Sequence, residues 1–443
     1  MKSDDALLSA WEETLARKGD APAIFGTRGE VLRTFREVEG RARAVEANLE
    51  SSAEGEVYPI DIGNHPDWPS HLLASLRRGL VALPLEDSIT PQQRQAALAI
   101  CNAPSRDWEE RQPVLLKLTS GTTAAPRAIR FRSEQLLADC IQICDTMGIG
   151  ADDLNFGVIP LSHSYGFSNL VTPLLVRGVP LVVSRDRMPR ALFDDLARTG
   201  ATVFPGMPVF YQAFCEMEST PALPKLRLCI SAGAPLPLEI ARKFREKFER
   251  SIHSFYGSSE CGGICYDREA RLLEPGFVGQ PMRGVQLELL EPDATATLIR
   301  VQSAAAGDDY FPEPDEEKLG GGSFMPDDLL SASEDGFRIV GRISDVINVA
   351  GKKVNPAEVE AELLGYEGVR AAVVFGLSST RRNEEVASCV VASEGVREME
   401  LLEFCRGRLS GWQVPKRIFF LEEIPVNERG KVSRRALAQR FGA

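Results

Sequence analysis

The sequence predicts an α/β fold, in which a large N-terminal domain of layered sheets and helices is followed by a small C-terminal α+β domain. Two observations predict this class. Short apolar or β-branched runs, typical of buried strands, alternate with segments of helical spacing through most of the chain. The length of 443 residues also exceeds what one hydrophobic core usually spans, so two or more domains are expected.

Residue spacing predicts the elements of the large domain in order along the chain. Apolar residues recur at helical spacing over residues 9–18, 34–49, 187–199 and 237–249. Short strand-like runs occupy residues 57–62, 80–85, 154–161, 179–184, 202–205 and 226–231. The alternation of strands and helices favours a largely parallel sheet that is covered by helices.

The last third of the chain has a different pattern. Residues 303–336 are rich in glycine and acidic residues, which indicates loops and short hairpins. From Phe337 the sequence predicts two strands and then a helix, with Asn355 as its cap, Pro356 in its first turn and Glu358 as a capping-box acid.

Two apolar runs, a helix that ends near residue 409 and a final strand then complete a compact α+β unit. We therefore predict a domain boundary near Arg342. The large domain would comprise residues 1–342 and the small domain residues 343–443.

Composition limits the possible functions. The net charge of −12 argues against a broad nucleic-acid surface, because binding phosphate backbones needs clustered positive charge. The acidic N-terminus predicts no signal peptide, and no apolar run of about 18 residues predicts a membrane span. The nine cysteines lack zinc-site spacing and only four histidines occur, so we expect reduced cysteines and a cytoplasmic protein.

The segment LLKLTSGTTAAPRAIRF, residues 115–131, combines a strand-like run with hydroxyl groups, a glycine and two arginines. Backbone N–H groups and hydroxyls at the end of a strand are suited to hold phosphate oxygens. The segment lacks the pattern of a Walker A loop. Taken alone, it is as compatible with an ordinary polar turn as with a phosphate loop.

Four later segments, SFYGSSE, FMPDDLL, GRISD and NERGKVSRRAL, follow this loop in order. With it, they resemble the adenylate-forming superfamily of acyl-coenzyme A synthetases, luciferases and peptide-synthetase adenylation domains. The resemblance covers the chain from about residue 10 to its end. It implies ATP-dependent activation of a carboxylic acid to an acyl-adenylate, followed by thioester formation with coenzyme A or a carrier-protein pantetheine. It also implies that the small domain is mobile and that Mg²⁺ takes part.

Carried over by position, the resemblance implies a nucleotide site. Arg127 stands where the family has lysine and Ala124 where it has glycine. Glu260 would ligate Mg²⁺, and Lys431 would also contact the nucleotide. The remaining implied nucleotide residues are Thr119, Ser120, Gly121, Thr122, Thr123 and Arg127 at the phosphates, Gly233, Ala234, Pro235, Phe255, Tyr256, Gly257, Ser258 and Ser259 at the adenine and α-phosphate, and Asp328 and Arg342 at the ribose.

The resemblance also implies catalytic and gating positions. Lys431 would bridge the acid carboxylate and the α-phosphate, and His163, in PLSHSYG, would gate the acid pocket. A lone histidine is otherwise more often structural, but the flanking residues of this motif favour the gate. Gly351 would line the thiol tunnel, and Ser344 occupies the hinge position, where the family usually has Asp or Lys.

Amino-acid-activating relatives place an aspartate close to Ser164, so an α-amino acid is disfavoured and a fatty or aromatic acid is expected. The stretch between residues 90 and 112 is shorter than in most relatives, which implies a trimmed first subdomain. An acyl carrier protein is a possible partner. Two alternatives remain open. One is a β-lactone-type synthetase that uses the adenylate internally. The other is a catalytically lapsed nucleotide-binding or partner-binding paralogue, which the residues at 124, 127 and 344 motivate.

Overall fold

The computed structural model describes residues 5–102, 108, 112–119, 127–186, 188–379, 383–426 and 432–442. The chain divides into two compact units. The first unit consists of Met1–Glu288, Arg300–Pro326 and Ser333–Arg338. The second consists of Leu289–Ile299, Asp327–Ala332 and Ile339–Ala443. The domain boundary near residue 342 stays a prediction.

The strands, in chain order, are β1 (Pro22–Phe25), β2 (Val31–Thr34), β3 (Val57–Ile60), β4 (Val81–Pro84), β5 (Leu115–Leu118), β6 (Ala128–Phe131), β7 (Asn155–Gly157), β8 (Leu181–Val183), β9 (Val203–Gly206), β10 (Leu228–Ser231), β11 (Ile252–Ser258), β12 (Gly262–Tyr266), β13 (Phe277–Pro281), β14 (Val285–Leu289), β15 (Thr297–Ser303), β16 (Tyr310–Phe311), β17 (Leu319–Gly320), β18 (Ser323–Phe324), β19 (Asp328–Ser333), β20 (Gly336–Arg342), β21 (Ile347–Val349), β22 (Lys352–Val354), β23 (Val369–Ser379), β24 (Asn383–Ala392) and β25 (Arg417–Phe420).

The helices are α1 (Ala6–Lys18), α2 (Phe35–Asn48), α3 (Trp68–Arg77), α4 (Pro91–Cys101), α5 (Ser133–Met147), α6 (Ser164–Gly166), α7 (Thr172–Arg177), α8 (Pro189–Thr199), α9 (Pro208–Glu216), α10 (Leu238–Phe248), α11 (Pro356–Leu364), α12 (Glu398–Arg406) and α13 (Arg434–Phe441). A π-helical segment, Phe167–Val171, joins α6 to α7, and a short 3-10 turn spans Ile343–Asp345. In the described part of the chain, no helix is both long and apolar enough to cross a bilayer.

The main sheet of the first unit runs β13-β12-β11-β10-β9-β7-β8-β1-β2. Strands β8, β7, β9, β10 and β11 are parallel along this order, and β12 returns antiparallel to β11. Helices alternate with the parallel strands along the chain, as the apolar runs of the sequence predicted. The parallel α/β sheet is therefore confirmed, and its strands end at one common edge.

Most predicted elements of this unit lie within a few residues of their observed bounds. The strand predicted at residues 154–161 is an exception, because β7 ends at Gly157. The Asn64 side chain donates to the carbonyls of Gly157 and Ile159 at 3.0 and 3.3 Å, so a side chain replaces a strand partner there. The chain is then free to turn towards Pro160 and His163.

A second sheet in the first unit has the order β16-β6-β5-β4-β3. Strands β5 and β6 form an antiparallel pair in which Leu118 lies opposite Ala128. The short strand β16 pairs with β6 and places Tyr310 opposite Ile129. Arg130 forms an ion pair with Asp309, which helps to fix β16 against β6.

The second unit contains the sheet β22-β21-β24-β23, with β25 parallel to β24. Its core includes Val359 and Leu363 of α11, packed with Val374 and Val390. Helix α11 begins as predicted, because the Asn355 side chain accepts a hydrogen bond from the Ala357 N–H at 3.1 Å. The predicted compact α+β unit is confirmed.

One detail of that helix start differs from the prediction. Glu358 was expected to reach back to the Asn355 backbone as a capping-box acid. Its carboxylate instead accepts a hydrogen bond from the Gln413 amide at 2.9 Å. The first turn therefore uses its acid to bind a neighbouring loop.

Candidate active site

The predicted site residues of the first unit gather at the carboxyl edge of its parallel strands. His163 follows β7, and the exposed segment 233–235, which comprises Gly233, Ala234 and Pro235, follows β10. The segment 255–259 forms the end of β11 and the turn after it. In open parallel sheets this edge is where ligands bind. These sequence-predicted positions are thus brought together by the topology.

His163 caps the helical run that starts at Ser164. Its Nδ1 accepts a hydrogen bond from the Tyr165 N–H at 3.2 Å, and its carbonyl accepts from the Phe167 N–H at 2.8 Å. A Cβ built on Gly166 would overlap the carbonyl oxygen of Pro160, so the turn requires glycine at that position. The motif PLSHSYG therefore fixes where the imidazole lies.

A hydrogen bond joins this helical run to the turn after β11. The Ser164 hydroxyl donates to the Ser259 hydroxyl at 2.9 Å. Ser259 is the residue that the family resemblance assigns to the α-phosphate. The segment that carries His163 and the segment that carries Glu260 are therefore in direct contact.

Thr119 and Arg127 close the base of the hydroxyl loop. The Thr119 N–H donates to the Arg127 carbonyl at 2.8 Å, and the Arg127 N–H donates to the Thr119 hydroxyl at 3.2 Å. The other predicted loop residues, Ser120, Gly121, Thr122 and Thr123, lie outside the described residues, as does Ala124.

Arg127 is linked to Glu260 through one aromatic side chain. The Arg127 guanidinium lies 3.9 Å from the ring centroid of Tyr310, and the Tyr310 hydroxyl donates to Glu260 Oε1 at 3.2 Å. Burial, with Glu260 as a second cause, raises the pKa of Tyr310, so its hydroxyl keeps its proton and remains a donor. Asp315 Oδ2 lies 3.7 Å from Arg127 Nη1 and forms an ion pair with the guanidinium.

The aromatic residues of SFYGSSE are largely enclosed. Phe255 and Tyr256 are each 7% exposed, and the Phe255 ring lies 5.9 Å from that of Tyr165. The Ser258 hydroxyl accepts a hydrogen bond from the Cys261 N–H at 3.1 Å, which shapes the turn that carries Glu260. Gly257, at the end of the strand, is exposed.

The other predicted site residues that the structure describes lie in the second unit. The Asp328 carboxylate, which is buried, accepts a hydrogen bond from Arg342 Nε at 2.6 Å. The two residues that the resemblance assigns to the ribose thus form an ion pair with each other. Gly351 has φ +84° in the tight turn between β21 and β22, a backbone reason for glycine that the sequence reading had not included. The side chain of Ser344 lies outside the described residues.

Family models cover more than half of the chain. A model described as AMP-binding enzyme matches residues 101–300, and one described as AMP-binding enzyme C-terminal domain matches residues 358–431. The chain belongs to the adenylate-forming superfamily. The resemblance drawn from the motifs is confirmed, and the enzyme class is that of the AMP-forming acid–thiol ligases. This class activates an acid as its adenylate and forms a thioester, using ATP and coenzyme A.

Individual relatives of this adenylate-forming enzyme agree. The chain is 28% identical over 392 residues to a probable CoA ligase, CCL9, of Humulus lupulus, covering 84% of this chain and 73% of that protein. It is 27% identical over 365 residues to the 3,4-dihydroxybenzoate–[aryl-carrier protein] ligase of Bacillus anthracis, covering 80% and 82%. The structure of ATP-bound MatB from Rhodopseudomonas palustris has a TM-score of 0.84, 22% identity and 98% coverage of both chains, which shows the shared fold.

The adenylate-forming site has one predicted ligand for Mg²⁺, the Glu260 carboxylate. Within the described residues, no three His, Cys, Asp or Glu side chains form a metal cluster. Mg²⁺ bound with a nucleotide usually takes one or two carboxylates, and the phosphates and waters complete its shell. The Glu260 carboxylate at the turn after β11 fits that requirement.

Lys431 itself lies outside the described residues. Arg434, three residues later, is described and begins α13. It donates to Asp345 Oδ2 and to Glu360 Oε1, both at 2.8 Å, and to the Val374 carbonyl at 2.9 Å. The start of α13 is therefore fixed to the rest of the second unit by a network of charged groups.

Three polar residues that lie beside the site, Tyr310, Lys117 and Asp139, were not predicted from the sequence. Tyr310 comes from a segment that was predicted only as loops and hairpins. Lys117 and Asp139 are buried, at 6% and 3% exposure. A lysine in the apolar run LLKL was an available signal, because lysine is rarely buried without a partner.

Proposed function

We propose that this enzyme uses ATP to activate an aromatic or fatty carboxylic acid as an acyl-adenylate and then transfers the acyl group to the thiol of coenzyme A or of a carrier-protein pantetheine. The observation that supports this most is the chain of contacts from Arg127 through Tyr310 to Glu260. It joins the base of the predicted phosphate loop to the predicted metal ligand, as a site for a triphosphate with its cation requires.

The chemistry requires that a carboxylate become a better acyl donor. An acid oxygen attacks the α-phosphorus of ATP, a new P–O bond forms, and pyrophosphate leaves with the electrons of the broken bond. Negative charge accumulates on the phosphoryl group in the transition state. Preorganised donors offset that charge without having to reorient during the reaction.

Each residue then has one role in the proposal. Thr119 and Arg127 hold the two ends of the phosphate loop, and Ser259 donates to the α-phosphate from a position fixed by Ser164. Mg²⁺, when bound, supplies positive charge at the phosphates, and Glu260 would hold it. Lys431 would bring its ammonium to the acid carboxylate and the α-phosphate.

The thiol step makes the second half of the proposal. The relative from Bacillus anthracis carries the name of an aryl-carrier-protein ligase, and the relative from Humulus lupulus that of a CoA ligase. Either acceptor therefore has support among the relatives. We propose that Gly351 borders the path of the thiol, with Ser344 at the hinge and His163 at the entrance of the acid pocket.

An ATP–pyrophosphate exchange assay tests the first half-reaction. Benzoic, hydroxybenzoic and straight-chain fatty acids are offered singly to the wild-type enzyme and to Lys431→Ala. We expect acid-dependent exchange in the wild type and a loss of at least about 100-fold in the variant. The absence of exchange with every acid would support a lapsed, nucleotide-binding protein instead.

Mass spectrometry tests the second half-reaction. Incubation with ATP, an accepted acid and either coenzyme A or a pantetheinylated carrier protein should give a thioester with at least one of the two thiols. If the adenylate accumulates with both thiols, the ligase assignment fails. Lactone formed from a β-hydroxy acid in the absence of thiol would identify the β-lactone alternative.

A further inference from the structure

A buried lysine and a buried aspartate lie beside the proposed reaction site without a role in it. Lys117 is the third residue of β5 and lies two residues before Thr119. Its ammonium lies 4.5 Å from the ring centroid of Phe131 and 5.3 Å from that of Phe167. Among the described residues, none accepts a hydrogen bond from it. An ammonium with three N–H donors in such a place needs an acceptor.

Asp139, on α5, lies against the strand that follows the Glu260 turn. Its Oδ1 accepts a hydrogen bond from the Gly263 N–H at 3.1 Å. A Cβ built on Gly262 would overlap the same oxygen, so the carboxylate lies directly on the glycine backbone. One carboxylate oxygen is thus occupied by the protein, and the other has capacity to accept a further bond.

Electrostatics connect the two residues. Burial raises the pKa of Asp139, and the Lys117 ammonium and the Ser168 hydroxyl partly oppose that rise. Burial lowers the pKa of Lys117, and Asp139 and Glu260 oppose that fall. Burial therefore disfavours the charged form of each group, and a polar partner would replace part of the hydration that each has lost.

The helical run that starts at Ser164 links the pair to the reaction site, because the Phe167 ring in this run lies 5.3 Å from the Lys117 ammonium. Ser164 donates a hydrogen bond to Ser259, which lies in the turn before the strand β12. Ser168, four residues later, lies beside Asp139, which bonds to Gly263. The run becomes π-helical at Phe167, and four residues of an α-helix would advance by about 6 Å. This is close to the span from the carboxyl carbon of a benzoic acid to an oxygen on the far side of its ring.

We propose that Lys117 and Asp139 form a subsite for a ring hydroxyl of the acid, so that this enzyme activates a hydroxylated aromatic acid. The inference rests on the proposed function and names its substrate class. A phenolic hydroxyl accepts a hydrogen bond from the Lys117 ammonium and donates one to the Asp139 carboxylate. The rings of Phe131 and Phe167 flank the ammonium that would bind it.

The charge balance selects a hydroxyl over a second carboxylate. This region already holds three ionisable groups, because the carboxylates of Asp139 and Glu260 both act on the Lys117 ammonium. A dicarboxylic acid would add a further negative charge to this buried region, whereas a hydroxyl adds none. A long aliphatic chain would leave the buried Lys117 ammonium without a hydrogen-bond acceptor, which costs free energy.

The test compares specificity across a panel of acids by ATP–pyrophosphate exchange. The probes are benzoate, 3-hydroxybenzoate, 4-hydroxybenzoate, terephthalate and decanoate. A site built to bond a substrate hydroxyl strongly rejects the analogue that lacks it. We expect kcat/KM for one hydroxybenzoate to exceed that for benzoate by at least about 30-fold, with terephthalate and decanoate below benzoate.

Substitutions at Lys117 and Asp139 test whether these two residues cause the preference for a hydroxybenzoate. Lys117→Met and Asp139→Asn should each bring the ratio of hydroxybenzoate to benzoate within about 3-fold of unity, chiefly by lowering activity with the hydroxy acid. Asp153→Asn is the matched control, since Asp153 is a buried aspartate of the same unit that pairs with Arg227. That variant should keep the wild-type ratio.

A double variant and a binding measurement keep the test informative if a single variant does not fold. Lys117→Met/Asp139→Asn removes both charges together and should fold better than either single variant. The thermal midpoint of the wild type should rise more with hydroxybenzoate than with benzoate, in the presence of a non-hydrolysable ATP analogue. Equal exchange and equal stabilisation with both acids would overturn the inference and leave the proposed function standing. No exchange with any acid would overturn the proposed function itself.

Discussion

The link between Tyr310 and Glu260 offers a selective test of the metal–nucleotide site. Replacing Tyr310 with phenylalanine removes one hydroxyl and keeps the ring on which the Arg127 guanidinium lies at 3.9 Å. The lost group is the donor that reaches Glu260 Oε1 at 3.2 Å. The substitution therefore changes the orientation of the carboxylate and little else.

The expected magnitude follows from the nature of the bond. A hydrogen bond to a charged acceptor contributes about 1.5–3 kcal/mol, and the length of 3.2 Å places this one at the lower end. About 1.4 kcal/mol corresponds to a factor of ten in a dissociation constant. Residues that orient a metal ligand cost about 10–100-fold in metal affinity when they are removed. We expect Tyr310→Phe to weaken binding of Mg²⁺–ATP about tenfold.

Titration calorimetry with ATP, with and without Mg²⁺, provides the measurement, independent of turnover. Tyr211→Phe is the matched control, because the Tyr211 hydroxyl is also buried and donates to the carbonyls of Phe204 and Ile230 at 3.1 and 2.9 Å. The control should lower the free energy of unfolding by about 1 kcal/mol without changing ATP affinity. A Tyr310→Phe protein that binds Mg²⁺–ATP as tightly as the wild type would refute the reasoning.

Further predictions concern catalysis and stability. Lys431→Ala should lower pyrophosphate release by about 100-fold or more with little change in the melting midpoint, and unchanged release would contradict its role. Asp153 is held by Arg227 at 2.7 Å, and Asp153→Asn should lower the free energy of unfolding by about 2 kcal/mol in chemical denaturation, less than for a fully buried pair because the Arg227 side chain is 44% exposed. Although burial raises the pKa of Asp153, Arg227 and other donors lower it further, so its stabilisation is present at neutral pH and is lost as the pH falls through that lowered pKa. Unfolding of Asp153→Asn should accordingly depend less on pH in acid, and an equal pH dependence would contradict the ion pair. Arg434→Met should destabilise the second unit by about 1–2 kcal/mol through loss of its ion pairs, including that with Glu360, which a calorimetric scan would detect as a lower melting midpoint.

Among the helices, the sequence predicted α8, which has one buried face, and did not predict α5, which is buried nearly all round. Helix α8 lies close to its prediction at residues 187–199, since apolar and polar residues alternate with the helical period. Helix α5 was not predicted. It buries Gln135, Asp139 and Gln142 along with its apolar residues, so it has no clear apolar stripe.

The site divides in a similar way. Motif order located His163 and the segments at residues 233–235 and 255–259. His163 and the segment 233–235 each follow a strand that the apolar pattern had marked, whereas the strand that carries residues 255–258 had not been predicted. Tyr310 could not be found in this manner. Its strand has only two residues, and its position depends on pairing with β6, which is distant in sequence. Contacts of that kind leave no periodic signal in a single sequence.

Lys117 breaks the pattern of an apolar strand, and this break could have indicated a functional residue. In the run LLKL, Leu116 and Leu118 pack in one apolar cluster, and strand alternation turns Lys117 to the opposite side. A polar side chain on that side would be ordinary if it faced water, yet Lys117 is 6% exposed. A methionine of similar length would occupy the same place without the cost of burying a charge. Residues that break local rules in this way are expected at functional sites. The position of Lys117, two residues before Thr119 and within the electrostatic reach of Glu260, makes substrate recognition a sufficient reason for that cost.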